Sequence, residues 1–276
     1  MRPGGIGYGA VARSTGSRPG TRTGREGQGR RPRPVAAAPA PSDGRNGSGP
    51  YRTPEAPVNH PILDQIQDLR ARLAPGDTVP PLVTALADGT APRSALAELC
   101  AQQHRIIRSD RRSLLLLAGR SADRPVSAWF AALAEGESAA LRTLPALGAA
   151  VGLDRDAPES RPPLPGCQAY PHFLAWLAVN SDPDPTAAAL VANFAAWGGY
   201  CATIAQALRS RYGFSDEACA FFDFFAQPAP ELEQQAADAL GPDRLDGPTL
   251  AAAHEYGLLL QAYEHLFWDT LGVIGA

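Results

Sequence analysis

The chain has 276 residues, which at roughly 100 to 200 residues per domain makes one large or two small domains. Its 25 basic residues are all Arg and stand against 28 acidic ones, a formal charge of −3 that excludes a nucleic-acid-coating protein as a description of the whole chain. Four cysteines, Cys100, Cys167, Cys201 and Cys219, with no C-x-x-C pair, exclude a disulfide scaffold and fit a reduced, cytoplasmic setting.

Residues 1–56 consist of Gly, Pro, Ser, Thr and Arg with almost no large apolar side chains. Such a segment cannot bury enough surface to offset its conformational entropy, so a disordered tail is expected, followed by a domain over 57–276. The tail holds ten Arg against three acids, which leaves the body distinctly acidic. An electrostatic arm or an Arg-rich targeting peptide is the functional reading of the tail. Compositional bias favours the plainer one, a dispensable extension, because Arg-rich, lysine-free, Ala-heavy text is what a biased genome writes. No apolar stretch of about 7 to 15 residues follows Met1, so no secretory signal is expected.

From Pro61 onward apolar residues recur at three and four, and alternating β-branched runs with tight turns are absent, so the body is read as all-α. Helices are expected over 61–74, 79–88, 93–119, 125–151, 168–179, 185–210, 215–226, 230–240 and 247–272. The turns "APGD" and "ADGT", the Pro-rich link at 153–166 and Pro185 in "NSDPDPT" punctuate them. No window reaches the roughly 18 uninterrupted apolar residues of a membrane span, since the run at 114–117 is hemmed by Arg111, Arg112 and Arg120; a soluble protein is expected. Four of the segments exceed about 20 residues, and at 1.5 Å per residue helices of that length can traverse a bundle and enclose a pocket.

Inward faces follow from the spacing. Asn193, Trp197 and Tyr200 lie at i, i+4 and i+7 with Ala189 and Ile204, and Tyr170, Phe173, Leu174 and Leu177 form another face. Glu264 and Trp268 sit one turn apart amid Tyr263, Leu266 and Phe267. Aromatic residues at helical spacing are core by default, but a carboxylate in such company suffers desolvation unless it is paired. That makes Glu264 a candidate general acid or base.

Two stretches resemble the TenA/PqqC family: "PLVTALADGTAPRSALAELCAQQHRIIRSD" at 81–110, like its opening helices and Gln-Asp-Tyr-x-Tyr motif, and "AYEHLFWDTL" at 262–271, like its closing Glu-x-x-Phe-Trp-Asp helix. Between them "AYPHFLAWLA" at 169–178 is similar to its Tyr-x-x-Phe-Leu segment, and 188–208 to its Leu-Leu-Pro-Cys helix. The resemblance implies a heme-oxygenase-like helical bundle with a small-molecule pocket. In the thiaminase II members a Cys attacks an aminopyrimidine ring, an Asp and Tyr residues bind it, and the terminal Glu moves protons. Carried over by position, the terminal Glu is Glu264 and a pocket Tyr is Tyr170. The nucleophile falls on Asn193, the Tyr after it on Trp197, the ring-binding Asp on Gln103, the Tyr three further on Ile106, and a further pocket Tyr on Phe225.

These departures change the chemistry. An amide is no nucleophile, and Cys201 is about 12 Å along the helix from Asn193 at 1.5 Å per residue, so thiaminase II-type aminopyrimidine hydrolysis is disfavoured. Gln103 keeps hydrogen-bonding capacity without charge. The heme-oxygenase-like diiron oxidases carry His-x-x-x-Asp-x-x-His on the last helix; here His254 is followed at those positions by Leu258 and Gln261, and His104 and Asp110 are off a shared face, so no metal and no other cofactor is expected. The cofactor-free oxidase branch uses a His- and Arg-rich cavity, for which this interior offers few candidates. The sequence therefore points to a TenA-like protein that binds an organic heterocyclic or aromatic compound through Gln103, Tyr170, Asn193, Trp197 and Phe225, with Glu264 as acid/base if it is an enzyme. A ligand sensor or regulator is the first alternative, followed by a thiaminase II-type aminopyrimidine hydrolase and a heme-oxygenase-like oxidase. Small-molecule ligands are the expected partners, with no membrane and no nucleic acid for the folded domain, and the resemblance allows a homo-oligomer.

Overall fold

Proline opens the helices of this chain and carbonyl-seeking side chains close the gaps. In the computed structural model, residues 61–74, 79–154, 157–241 and 244–274 are described. The tail expected over 1–56 lies outside the described residues. Ten helices are present among them: α1 (Pro61–Leu73), α2 (Pro81–Asp88), α3 (Arg93–Arg120), α4 (Val126–Ala150), α5 (Ala157–Ser160), α6 (Pro165–Asn180), α7 (Pro183–Ser210), α8 (Asp216–Ala226), α9 (Pro230–Leu240) and α10 (Gly247–Ile274). No strand occurs among the described residues, so the all-α reading holds.

Proline occupies the first turn of α2, α6, α7 and α9, where its missing N–H leaves no bond unmade. Asp182 caps α7 by accepting from the Asp184 N–H, and Ser215 caps α8 by accepting from the Ala218 N–H. Gly89 ends α2 at φ 75°, a left-handed conformation that a side chain would strain.

The long helices α3 and α4 pack most extensively, α6 lies against α3 and α10, and α8 bridges α4 and α7. Helices α1 and α2 cover α7. Helix α7 is long and apolar enough to cross a bilayer by length and composition, contrary to the expectation that no segment is. Two-thirds of its most apolar window, 67%, is buried within the bundle, as befits a central core helix. Trp129, Trp197, Trp268, Phe130, Phe221 and Phe222 are the largest fully buried side chains of the core.

Two polar knots hold segments that lack helical bonds. Gln102 on α3 donates to Glu98 Oε1 (2.7 Å) and the Pro162 carbonyl (3.0 Å), and accepts from the Leu164 N–H (3.2 Å) and Gln168 Nε2 (3.2 Å). The Pro-rich link is thereby fastened to α3. At the start of α7, Asp184 is buried and receives Arg124 and, at 3.4 Å, Arg244, joining the α3–α4 and α9–α10 links. Replacing Asp184 by Ala is expected to cost about 2 kcal/mol, below the figure for a fully buried pair because both guanidinium groups are partly exposed. Urea denaturation checks this, with an unchanged midpoint as the contrary result.

Candidate functional site

The six residues singled out by sequence come from five helices and are all buried: Gln103 on α3, Tyr170 on α6, Asn193 and Trp197 on α7, Phe225 on α8 and Glu264 on α10. The buried face of α10 runs Ala253, Gly257, Leu260, Gln261, Glu264, Phe267, Trp268 and Leu271, so Glu264 stands in the middle of an inward stripe, only 2% exposed.

Around it the aromatic rings meet mostly edge to face, with Trp197 and Trp268 tilted at 37°. Trp197 lies 5.4 Å from Trp268, 6.0 Å from Phe225 and 6.1 Å from Phe267 between ring centroids, and Tyr200 packs on Trp268 at 5.8 Å. The Trp268 indole N–H donates to Glu264 Oε1 at 3.2 Å. Glu264 Oε2 and the Trp197 indole nitrogen are buried with no hydrogen-bond partner among the described residues. Burial pushes the Glu264 carboxyl well above the usual carboxylate range, and the Trp268 bond opposes this only in part. The group is therefore held as a neutral acid over pH values where a solvated carboxylate would be ionised.

Two acids that sequence reasoning did not select join it. Asp110 on α3 and Glu137 on α4 are each 1% exposed, and Asp110 Oδ1 has no hydrogen-bond partner. Burial and then the Glu137 charge raise the Asp110 carboxyl well above its ordinary range. Tyr170 lies within reach of all three acids: after burial, the charges of Asp110, Glu264 and Glu137 in turn push its hydroxyl up. Gln103 and Asp110 are seven residues apart on α3 and so share one face, which carries Gln103 toward the same interior. Among the described residues, no group of three or more His, Cys, Asp and Glu is arranged to hold a metal ion.

Asn193 has a different setting. Its Nδ2 donates to the Ala189 carbonyl at 2.7 Å, and its Oδ1 accepts from Gln261 Nε2 at 2.8 Å, which also donates to the Leu73 carbonyl at 2.8 Å. A Cβ on Gly257 would come within 2.5 Å of Leu73 Cδ1 and 3.3 Å of Asn193 Nδ2, so the glycine is what lets α1, α7 and α10 meet here. The position matching a nucleophile is thus a strap between three helices, at the floor of a cleft of about 300 Å³ that Arg70 and Tyr200 also line. Cys201 is fully buried, and its thiol is pushed up by burial and then by Glu264, so it stays protonated. A second cavity of about 490 Å³ between α3 and α4 is lined by Cys100, His104, Leu144 and Leu153; burial pushes the Cys100 thiol up to about 12.

A bundle of long helices around an interior acid-and-aromatic cluster places the protein in the heme-oxygenase-like class, and solved structures agree. A domain of unknown function with a heme oxygenase-like fold from Shewanella denitrificans OS217 is similar at TM-score 0.62 and 14% identity, covering 78% of this chain and 90% of that one. The TenA homologue from P. horikoshii OT3 is similar at TM-score 0.57 and 15% identity, covering 76% of this chain and 96% of its own. A TenA family transcription regulator from Silicibacter sp. TM1040 is similar at 0.56 and 17%, covering 75% and 96%. Residues 78–271 match the family model described as the TENA/THI-4/PQQC family, and the chain belongs to that family. No protein in the curated set matches it.

Proposed function

We propose that the protein binds an organic heterocyclic or aromatic compound beside Glu264 and acts on it without a covalent enzyme intermediate, Glu264 being the proton donor. What supports this most is a set of unmet polar atoms: Asp110 Oδ1, the Trp197 indole nitrogen and Glu264 Oε2 are buried on three helices without partners, where folding alone would favour apolar groups. An acid held neutral by burial can protonate a leaving or ring heteroatom of the ligand and recover its proton from water. Trp197 supplies a donor, Phe225 and Trp268 the apolar walls, and Tyr170 and Gln103 further polar contacts. Attack by Asn193 has no chemical basis, since its amide lone pair is delocalised and both ends are bonded within the protein.

The test is small-molecule mass spectrometry of the purified full chain, followed by turnover assays on whatever it retains. Retention of an aromatic or heterocyclic compound that is converted by the wild type supports the reading. A compound held tightly but never converted assigns the same site to a ligand-binding or regulatory role. Vigorous cleavage of thiamin would overturn the non-covalent chemistry.

A further inference from the structure

We infer that the cavity between α3 and α4 is a second ligand site, separate from the one beside Glu264, and that it takes a neutral, largely apolar ring compound carrying one hydroxyl group. Cys100 and His104 are four residues apart on α3, so they share a face, and both line a space of about 490 Å³, a size usual for small-molecule pockets. Gln103 and Asp110 on the same helix are turned roughly 90° from that face at 3.6 residues per turn. None of the six residues singled out by sequence lines this space. Cys100, Leu144 and Gly148 are buried and make its floor, while Pro145, Ala149 and Asp154 are exposed at its rim.

The α4 wall is built from residues that a helix does not favour. Pro145 sits inside α4, where it has no N–H to give the Leu141 carbonyl and its ring crowds the preceding turn. Gly148 follows three residues later and is buried in the same helix. A methyl group there would meet nothing closer than Cys100 Sγ at 3.6 Å and Leu153 Cβ at 3.8 Å, both ordinary van der Waals distances. Alanine would therefore fit and would favour the helix, so packing does not account for the glycine. What Pro145 and Gly148 have in common is the cavity they line, which a larger side chain at 148 would shrink.

The lining sets the class of ligand. Leu144, Pro145, Leu153 and Pro158 supply apolar surface. No Lys or Arg stands among the described residues that line the cavity, and its acidic group, Asp154, is at the exposed rim. An anion thus finds no permanent counter-charge, and a cation finds only a carboxylate screened by water. On the floor, burial pushes the Cys100 thiol up to about 12, so it stays neutral, and its proton is directed at the Leu144 carbonyl at 3.7 Å. The sulfur lone pairs remain as an acceptor for the O–H of an incoming molecule whose rings rest on the apolar walls.

Equilibrium dialysis of the full chain against 2-naphthol, naphthalene and 2-naphthoate, which share one ring system, tests the inference. 2-Naphthol is expected to bind about threefold or more tighter than naphthalene, as one hydrogen bond allows, with 2-naphthoate weakest. Gly148→Leu, which fills the floor, and Ala149→Trp, which covers the rim, should each weaken 2-naphthol by about tenfold or more. If Gly148→Leu does not fold, the exposed Ala149→Trp is read in its place. Cys100→Ala should bring 2-naphthol down to the level of naphthalene, and Glu264→Gln and Trp197→Phe should leave all three probes unchanged. Binding that survives the cavity variants overturns the second site, and if it falls instead in Glu264→Gln or Trp197→Phe it belongs to the interior one. Absence of binding by any probe overturns the second site and leaves the reading of the Glu264 site standing. Tightest binding of 2-naphthoate, or a hydroxyl preference that outlasts Cys100→Ala, overturns the ligand class.

Discussion

Replacing Glu264 by Gln is expected to lower turnover by about 10²- to 10⁴-fold, the usual contribution of a positioned proton donor, while leaving the fold intact. The amide oxygen can still accept from Trp268, which now donates to Glu264 Oε1 at 3.2 Å. The same substitution has a stability signature with a definite sign. Because burial raises the folded-state carboxyl above its unfolded value near pH 4, the folded protein holds the proton more tightly than the unfolded chain. That advantage is complete below about pH 4 and is lost as pH rises through the raised value. Asp110 contributes in the same sense. Urea midpoints of the wild type should therefore fall with rising pH, and those of Glu264→Gln should fall less. In turnover, the alkaline limb assigned to the acid should vanish with the carboxyl. A variant with wild-type rate, or with an undiminished pH slope in stability, would remove Glu264 from both roles.

Trp197 separates packing from ligand chemistry. Truncation to Ala is expected to cost about 3 to 5 kcal/mol, because the indole is 1% exposed and packs on Phe225, Phe267 and Trp268. Substitution by Phe keeps an aromatic ring there but removes an indole N–H that has no partner in the protein. Deleting a buried unsatisfied donor offsets part of the lost packing, so Trp197→Phe should change stability by less than about 1.5 kcal/mol. Its affinity for the retained compound should nevertheless drop about tenfold or more, the loss of one buried hydrogen bond. Calorimetric titration beside urea denaturation reads both quantities. Equal affinity in Trp197→Phe would mean that the ligand makes no use of the indole nitrogen.

The helices were legible because their burial pattern is regular. The recurrence of apolar residues at three and four places α3, α4, α7 and α10 within a few residues of their observed bounds. Helices α6 and α7 begin earlier than expected because Pro165 and Pro183 read as the ends of links, whereas each sits in the first helical turn. Helix α5 is four residues long inside a Pro-rich stretch, too short for any periodicity to register. In the site, Glu264 stood out because its neighbours in sequence are apolar. Asp110 did not, being flanked by Arg108, Arg111 and Arg112, which makes the segment look like a solvated face. The usable signal was its spacing of seven from Gln103, not of six from His104. Glu137 was hidden similarly beside exposed Glu135, although Leu133, Ala140 and Leu144 mark its face as buried. The engagement of Asn193 with Gln261 and Leu73 depends on contacts between helices distant in sequence, which no local pattern carries.

The fastening of Gln102 to the later part of the Pro-rich stretch bears on how the bundle could admit anything to its interior. By composition that stretch resembles a hinge, but three hydrogen bonds from one α3 side chain, to Pro162, Leu164 and Gln168, make it a strut between α3 and α6. The helices carrying Asp110 and Tyr170 consequently travel as one rigid piece, and any breathing that opens a passage has to part a different seam.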